Sequence, residues 1–173
     1  MFPQVNEILE FFLKNPTAKQ HLREIARQTR FSPAGAQKSL KKLQKEGLIL
    51  RTKNRAITIY KANTANPKWL PLKKIYNLQS LYDCGLIQSL KDSYNEPEAI
   101  VLFGSYAKGE DTEQSDIDIA IIAKENTTID LKPFENKLSR KINILEVDLQ
   151  SSKKEFLGTL ANGIVLEGYL TLP

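Results

Sequence analysis

The stretch that most constrains this chain is VLFGSYAKGEDTEQSDIDIAII, residues 101–122. It starts inside a wholly apolar run, AIVLF (99–103), which has the length and composition of a buried strand. Gly104 and Ser105 then turn the chain into one or two helical turns, stopped by Gly109. Glycine lets backbone N–H groups approach a ligand, and the first turn of a helix leaves such groups unpaired. With the Ser105 hydroxyl they form a candidate cradle for polyphosphate. SDIDIAII (115–122) reads as a neighbouring strand, in which residues two apart share a face. Asp116 and Asp118 therefore point together, while Ile117, Ile119 and Ile121 enter the core. Aspartate is a poor strand former, and two carboxylates about 7 Å apart repel unless a cation lies between them. Magnesium suits such a pair: a hard ion bound by one or two carboxylates, with phosphate and water at its remaining positions. The competing reading is an edge strand protecting itself with charge. The preceding Gly-Ser turn favours the metal and nucleotide reading.

Composition narrows the class. Cys84 is the lone cysteine and His21 the lone histidine, which excludes an internal disulfide and a zinc site built from several Cys and His ligands. No apolar run approaches the roughly 18 residues of a membrane span. The N-terminal stretch carries Glu7 and Glu10 and no small-residue cleavage site, so a signal peptide is rejected and a cytoplasmic location is expected. The overall charge of +5 is unevenly divided. Residues 1–66 hold 13 Lys+Arg against 4 Asp+Glu, a net of +9, and residues 67–173 hold 12 against 16, a net of −4. A basic front and an acidic rear suggest two modules with different partners.

In the front half, Val5, Ile8, Leu9, Phe12 and Leu13 recur at helical spacing over residues 4–14, and Asn15-Pro16 breaks the pattern. Leu22, Ile25 and Ala26 form the stripe of a second short helix, with His21 capping or packing at its start. Ser32 followed by Pro33 starts a third, which runs to Gly47 with Ala36, Leu40 and Leu43 inward. Two β-like runs, LILRT and AITIYKA, follow. Three short helices and a hairpin make a winged helix-turn-helix, with the hairpin as the wing. On the outer face of the third helix, Gln37 can read a base edge, while Lys38, Lys41 and Lys42 can neutralise phosphates of double-stranded DNA. Arg51, Lys53 and Arg55 on the hairpin can add phosphate or minor-groove contacts. The region HLREIARQTRFSPAGAQKSLKKLQKEGLIL also resembles the winged-helix module of archaeal and bacterial transcriptional regulators. Such regulators are often dimers, so a homodimer is expected.

NTANPKWLP (63–71) reads as a polar, proline-bounded linker. A helical stripe follows from Leu70 to about Leu90, through Leu72, Ile75, Tyr76, Leu78, Leu81 and Leu86, with Gly85 as a break. Further on, FENKLSRK and SKKEFLGTL read as helices, KINILEVDLQ (141–150) as a later strand, and GIVLEGYL as a segment that packs back on the sheet or on a dimer partner. The expected architecture is α+β in two domains. A winged helix over 1–66 and a connecting segment over 67–97 precede a mixed β-sheet with flanking helices over 98–173.

GSYAKGEDTEQSDIDI resembles the signature of the minimal nucleotidyltransferases of the DNA polymerase beta superfamily, G-S followed some ten residues later by D-x-D. The fusion with a winged helix resembles prokaryotic regulators that carry a nucleotidyltransferase domain. The resemblance implies that Gly104 and Ser105 hold the triphosphate of an NTP, ATP being favoured, and that Asp116 and Asp118 hold two magnesium ions. It implies transfer of a nucleotidyl group, AMP being favoured, and a small helical toxin-like protein as a possible partner of an antitoxin-like module. The family's third carboxylate sits early in the later strand, where this chain has Ile142-Asn143. Asparagine is neutral and cannot take a proton from a hydroxyl. Glu146 and Asp148 are the candidate substitutes, although strand alternation turns both to the face opposite residue 143. Two readings stay open: a nucleotidyltransferase, or a regulator whose rear domain binds nucleotide or a partner without catalysis.

Overall fold

The computed structural model describes residues 6–54, 57–123 and 127–173. Its contacts divide the chain into two compact units, Met1–Tyr76 and Asn77–Pro173.

The first unit begins with α1 (Glu7–Lys14), where the Asn6 side chain accepts from the Leu9 N–H and so caps the helix start. Ile8, Leu9, Phe12 and Leu13 form its buried face. β1 (Lys19–Gln20) and α2 (Leu22–Gln28) follow, then α3 (Pro33–Lys45). Ser32 caps α3 by accepting from the Gly35 N–H at 3.1 Å, with Pro33 at the first helical position. Gly47 ends it in the left-handed region at φ +74°, and the Leu48 N–H reaches back to the Leu43 carbonyl at 2.9 Å. β2 (Ile49–Asn54) and β3 (Ile57–Ala62) complete an antiparallel sheet in the order β1-β3-β2. The residue-19 strand is too short to carry a sequence period; it exists because Lys19 and Gln20 pair with Lys61 and Tyr60. His21 precedes α2 without capping it by its side chain; its Nδ1 lies 2.9 Å from the Thr58 carbonyl, which it reaches as a donor.

The stretch expected as a linker is tied down. The Asn63 and Asn66 side-chain amides both donate to the Gly47 carbonyl, at 2.7 and 3.0 Å. Trp69, at the start of α4 (Trp69–Asp83), is buried in the same core as α1 and α3. The boundary between the units falls inside α4. Its stripe differs from the expected one: Ile75 is 49% exposed, whereas Lys73 and Asn77 are each 1% exposed. Buried polar residues rather than apolar ones occupy part of the inward face, and the partners of Asn77 are described below.

The second unit continues with α5 (Leu86–Ser93), entered through Gly85 at φ +85°. β4 (Ala99–Phe103), α6 (Gly104–Lys108), β5 (Ile117–Ile122), α7 (Lys132–Leu138), β6 (Ile142–Glu146), α8 (Lys154–Ala161) and β7 (Ile164–Gly168) follow. The sheet order is β6-β5-β4-β7. β4 lies antiparallel to both β5 and β7, and β5 parallel to β6. Side-chain alternation gives the sheet two buried faces. Ile100, Leu102, Ile117, Ile119, Ile121 and Ile142 share one core with α5 and the end of α4. Ala99, Val101, Ala120 and Val147 share the other with Leu160 of α8. The architecture is therefore mixed α+β.

Leu40 is fully buried in the core of the first unit. Leu40→Ala should lower that unit's unfolding free energy by about 2–5 kcal/mol, because the neighbours relax only partly into the space left. Urea unfolding followed through Trp69, the lone tryptophan and a member of the same core, measures it.

Candidate functional site

β4 delivers the chain to Gly104, and β4–β5 pairing sets Phe103 opposite Asp118. Gly104 adopts φ +75°, a conformation that L side chains rarely take. A Cβ there would stand 2.6 Å from Asp118 Oδ2, so both backbone and space require glycine. The Gly-Ser turn and the second aspartate are thus in direct contact. Ser105 is half-buried at the start of α6, and no side chain caps the helix at Phe103. Tyr106 and Ala107 anchor α6 in the core, and Gly109 stops it at φ +72°.

Between Gly109 and β5 the chain is held by buried polar groups. Asn77 Nδ2 donates to the Tyr106 carbonyl at 2.9 Å and to Asp111 Oδ1 at 2.7 Å. Arg140 Nη2 lies 3.9 Å from Asp111 Oδ2, and both side chains are buried. Ser115 Oγ accepts from the Thr112 N–H at 3.0 Å, closing a turn immediately before Asp116. β5 begins at Ile117, one residue later than Asp116, and the Ile117 N–H bonds to the Lys141 carbonyl at 2.8 Å. The strand that follows the first aspartate and the strand with Asn143 are therefore joined at their starts. Asn77, Asp111 and Arg140 were not singled out from the sequence. Asn77 carries a faint signal: it lies four residues before Leu81, on the buried side of α4.

Asp116 and Asp118 stand on one face, the first exposed and the second half-buried. Parallel pairing places Asn143 beside Asp118. Asn143 Nδ2 donates to both carboxylates, at 3.3 Å to Asp116 Oδ2 and 3.0 Å to Asp118 Oδ1. The three side chains meet. Glu146 does not join them. It lies three residues along β6, on the face of Ile142 and Ile144, and its Oε1 accepts from the Tyr94 hydroxyl at 2.8 Å and the Thr127 N–H at 3.0 Å. Burial pushes the Tyr94 phenol well above the usual tyrosine range, and its hydrogen bond and proximity to Glu146 push it further. Asp148 lies beyond β6 in a turn, where its Oδ1 accepts from the Gln150 N–H at 3.0 Å. Among the described residues, no three His, Cys, Asp or Glu side chains converge as a metal site. The donor set that remains, two carboxylates open to solvent, fits magnesium as an ion that keeps several waters and takes phosphate oxygens.

In the first unit, Gln37, Lys38, Lys41 and Lys42 are exposed on the outer face of α3. Arg51 and Lys53 are exposed on β2, paired with Tyr60 and Thr58. Arg55 lies outside the described residues.

Comparison with known proteins bears on the second unit. The family described as "Polymerase beta, Nucleotidyltransferase" matches residues 86–170. Over those residues the chain is similar to nucleotidyltransferase domains. A "putative protein adenylyltransferase" of Methanocaldococcus jannaschii is 44% identical over 66 residues, 37% of this chain. The match spans 65% of that relative's length. Two solved structures cover 49% of the chain. One, a toxin-antitoxin with AMP-PNP, is 27% identical with a TM-score of 0.39 and 71% of its chain covered. The other, a mutant of the toxin-antitoxin MntA-HpeT, is 24% identical with a TM-score of 0.37 and 70% covered. Among the described residues no helix is long and apolar enough to cross a membrane.

Gly104→Ala should force the Asp118 carboxylate away from the turn, given the 2.6 Å approach. The expected outcome is loss of Mg-ATP binding by at least roughly tenfold in isothermal titration, about 1.4 kcal/mol. Unchanged binding would contradict a shared phosphate and metal site.

Proposed function

We propose that the second unit binds a magnesium nucleoside triphosphate and transfers a nucleotidyl group, AMP in the favoured case, to an acceptor hydroxyl. The observation that carries this reading is the contact of the Gly104 turn with Asp118, with Asp116 on the same face. The family match over the same residues supports it. Gly104 would leave room for the triphosphate to approach the backbone, and the Ser105 hydroxyl would donate to it. Asp116 and Asp118 would hold magnesium, which when bound neutralises phosphate charge and stabilises the leaving pyrophosphate. The acceptor oxygen bonds to the α-phosphorus as the bond to the bridging oxygen of pyrophosphate breaks. Asn143 cannot accept the acceptor's proton, so that proton leaves to solvent or to a base the acceptor itself brings.

The first unit is, in this proposal, a winged helix that binds double-stranded DNA. α3 supplies Gln37 for base contact and Lys38, Lys41 and Lys42 for phosphates, and β2 adds Arg51 and Lys53. The exposure of all six side chains and the net +9 of residues 1–66 support it.

A second reading keeps the nucleotide and drops the transfer, making the domain a sensor. Asn143, standing beside both aspartates where the resembled family has an acid, favours it. Intact-mass measurement separates the two. Incubation with Mg-ATP and candidate acceptors, the chain itself included, should add the mass of one AMP, and Asp118→Ala should abolish the increment. Mg-ATP binding without any increment would favour the sensor, and absence of binding would sink both.

The DNA proposal has its own measurement. Affinity for duplex DNA should fall linearly on a log–log plot against salt, and Lys41→Ala should reduce the slope by about 0.9, one phosphate contact. A salt-independent or absent interaction overturns it.

A further inference from the structure

Among the described residues, Asn143 is the one side chain whose amide touches both aspartates, and its orientation is chemically determined. Ionised carboxylates only accept hydrogen bonds, so the NH2 end of the amide must face them. A single NH2 group reaches Asp116 Oδ2 at 3.3 Å and Asp118 Oδ1 at 3.0 Å. Two like charges two residues apart repel, and these charge-assisted hydrogen bonds offset part of that repulsion without a cation. A divalent ion seated between the carboxylates at these two oxygens would meet the positive end of the amide dipole. Ion and amide therefore compete for the place between the carboxylates. A third carboxylate would instead add charge to the site and favour the ion.

We infer that Asn143 acts as an internal stand-in for the cation: it holds Asp116 and Asp118 together in the metal-free chain and competes with divalent metal for them. This rests on the reading of the aspartates as a metal site. Its consequence is an order of events. The nucleotide-free chain holds metal weakly, and the ion enters with the triphosphate, whose own negative charge replaces what the missing carboxylate would have supplied. Asn143 is thus an affinity-setting residue rather than a metal ligand. Register fixes this role, because β5–β6 pairing sets Asn143 directly beside Asp118.

The test uses Mn2+ alone, titrated onto the full chain without nucleotide and read by the free-ion EPR signal. Asn143→Ala removes the competitor and should tighten Mn2+ binding roughly 3- to 10-fold, the size of an exposed charge-assisted contact. Asn143→Asp removes it and adds a charge, and should tighten binding by more than roughly tenfold. Residue 143 is exposed, so both substitutions leave the core untouched. Weaker binding in Asn143→Ala would make the amide a ligand and overturn the inference, as would Mn2+ affinities within twofold of one another across the three proteins. A parallel titration with Mg-ATP keeps the two levels apart. Retained Mg-ATP binding with unmoved Mn2+ affinities defeats this inference alone, whereas loss of both from the unsubstituted chain defeats the nucleotide reading beneath it.

Discussion

The antiparallel pairing of β4 with β5 is the constraint on which the candidate site depends. Phe103 opposite Asp118 brings the last residue of one strand beside the second aspartate of the next. The chain leaving β4 must then turn within the width of one carboxylate. Only a residue without Cβ, in a left-handed conformation, does so at 2.6 Å from Asp118 Oδ2. Shifting this pairing by one residue would exchange the two faces of β5, taking Ile117, Ile119 and Ile121 out of the core they share with α5 and turning the aspartates into it. The core of the sheet and the geometry of the site are therefore enforced by the same register. The apolar face supplies the energy that holds it, since all three isoleucines are completely buried.

That register leaves the loop before Asp116 undetermined, and a second, polar device holds it. Asp111 and Arg140 are buried, and Asn77 donates to Asp111. Buried charges are costly to desolvate, and a pair 3.9 Å apart recovers only part of that cost. A hydrophobic cluster would hold the loop as strongly but with less directional preference. The hydrogen bonds of Asn77, shared between the Tyr106 carbonyl and Asp111, relate the helix after Gly104 to the loop before Asp116 in one orientation. Both halves of the motif are thereby referred to a single side chain on α4.

How much of this was legible depends on the range of the interaction. α3 announces itself locally, through the Ser32 cap, Pro33 and the Gly47 stop, and the structure has all three. β4 and β5 declare themselves through apolar runs and period-two alternation. The two-residue β1 has no period to read and is defined by a partner some 40 residues away. Asn77 sits where apolar residues were expected because its partners are 29 and 34 residues further on. Alternation alone turns Glu146 away from Asn143, but its engagement by Tyr94, 52 residues distant, needed the fold. The contact of Asn143 with both aspartates likewise needed the parallel register of β6. Sequence order reports faces; it does not report neighbours.

The position of β6 carries a chemical consequence. β6 is an edge strand, Asn143 and Asp116 are exposed, and the neighbouring Leu145 is 45% exposed. A site at an open edge admits a large acceptor without any opening motion, but it does little to exclude water. For the proposed transfer, water is then a competing nucleophile at the α-phosphorus. Selectivity for the acceptor must come from the acceptor covering the β6 edge as it binds, which also strengthens every electrostatic contact beneath it.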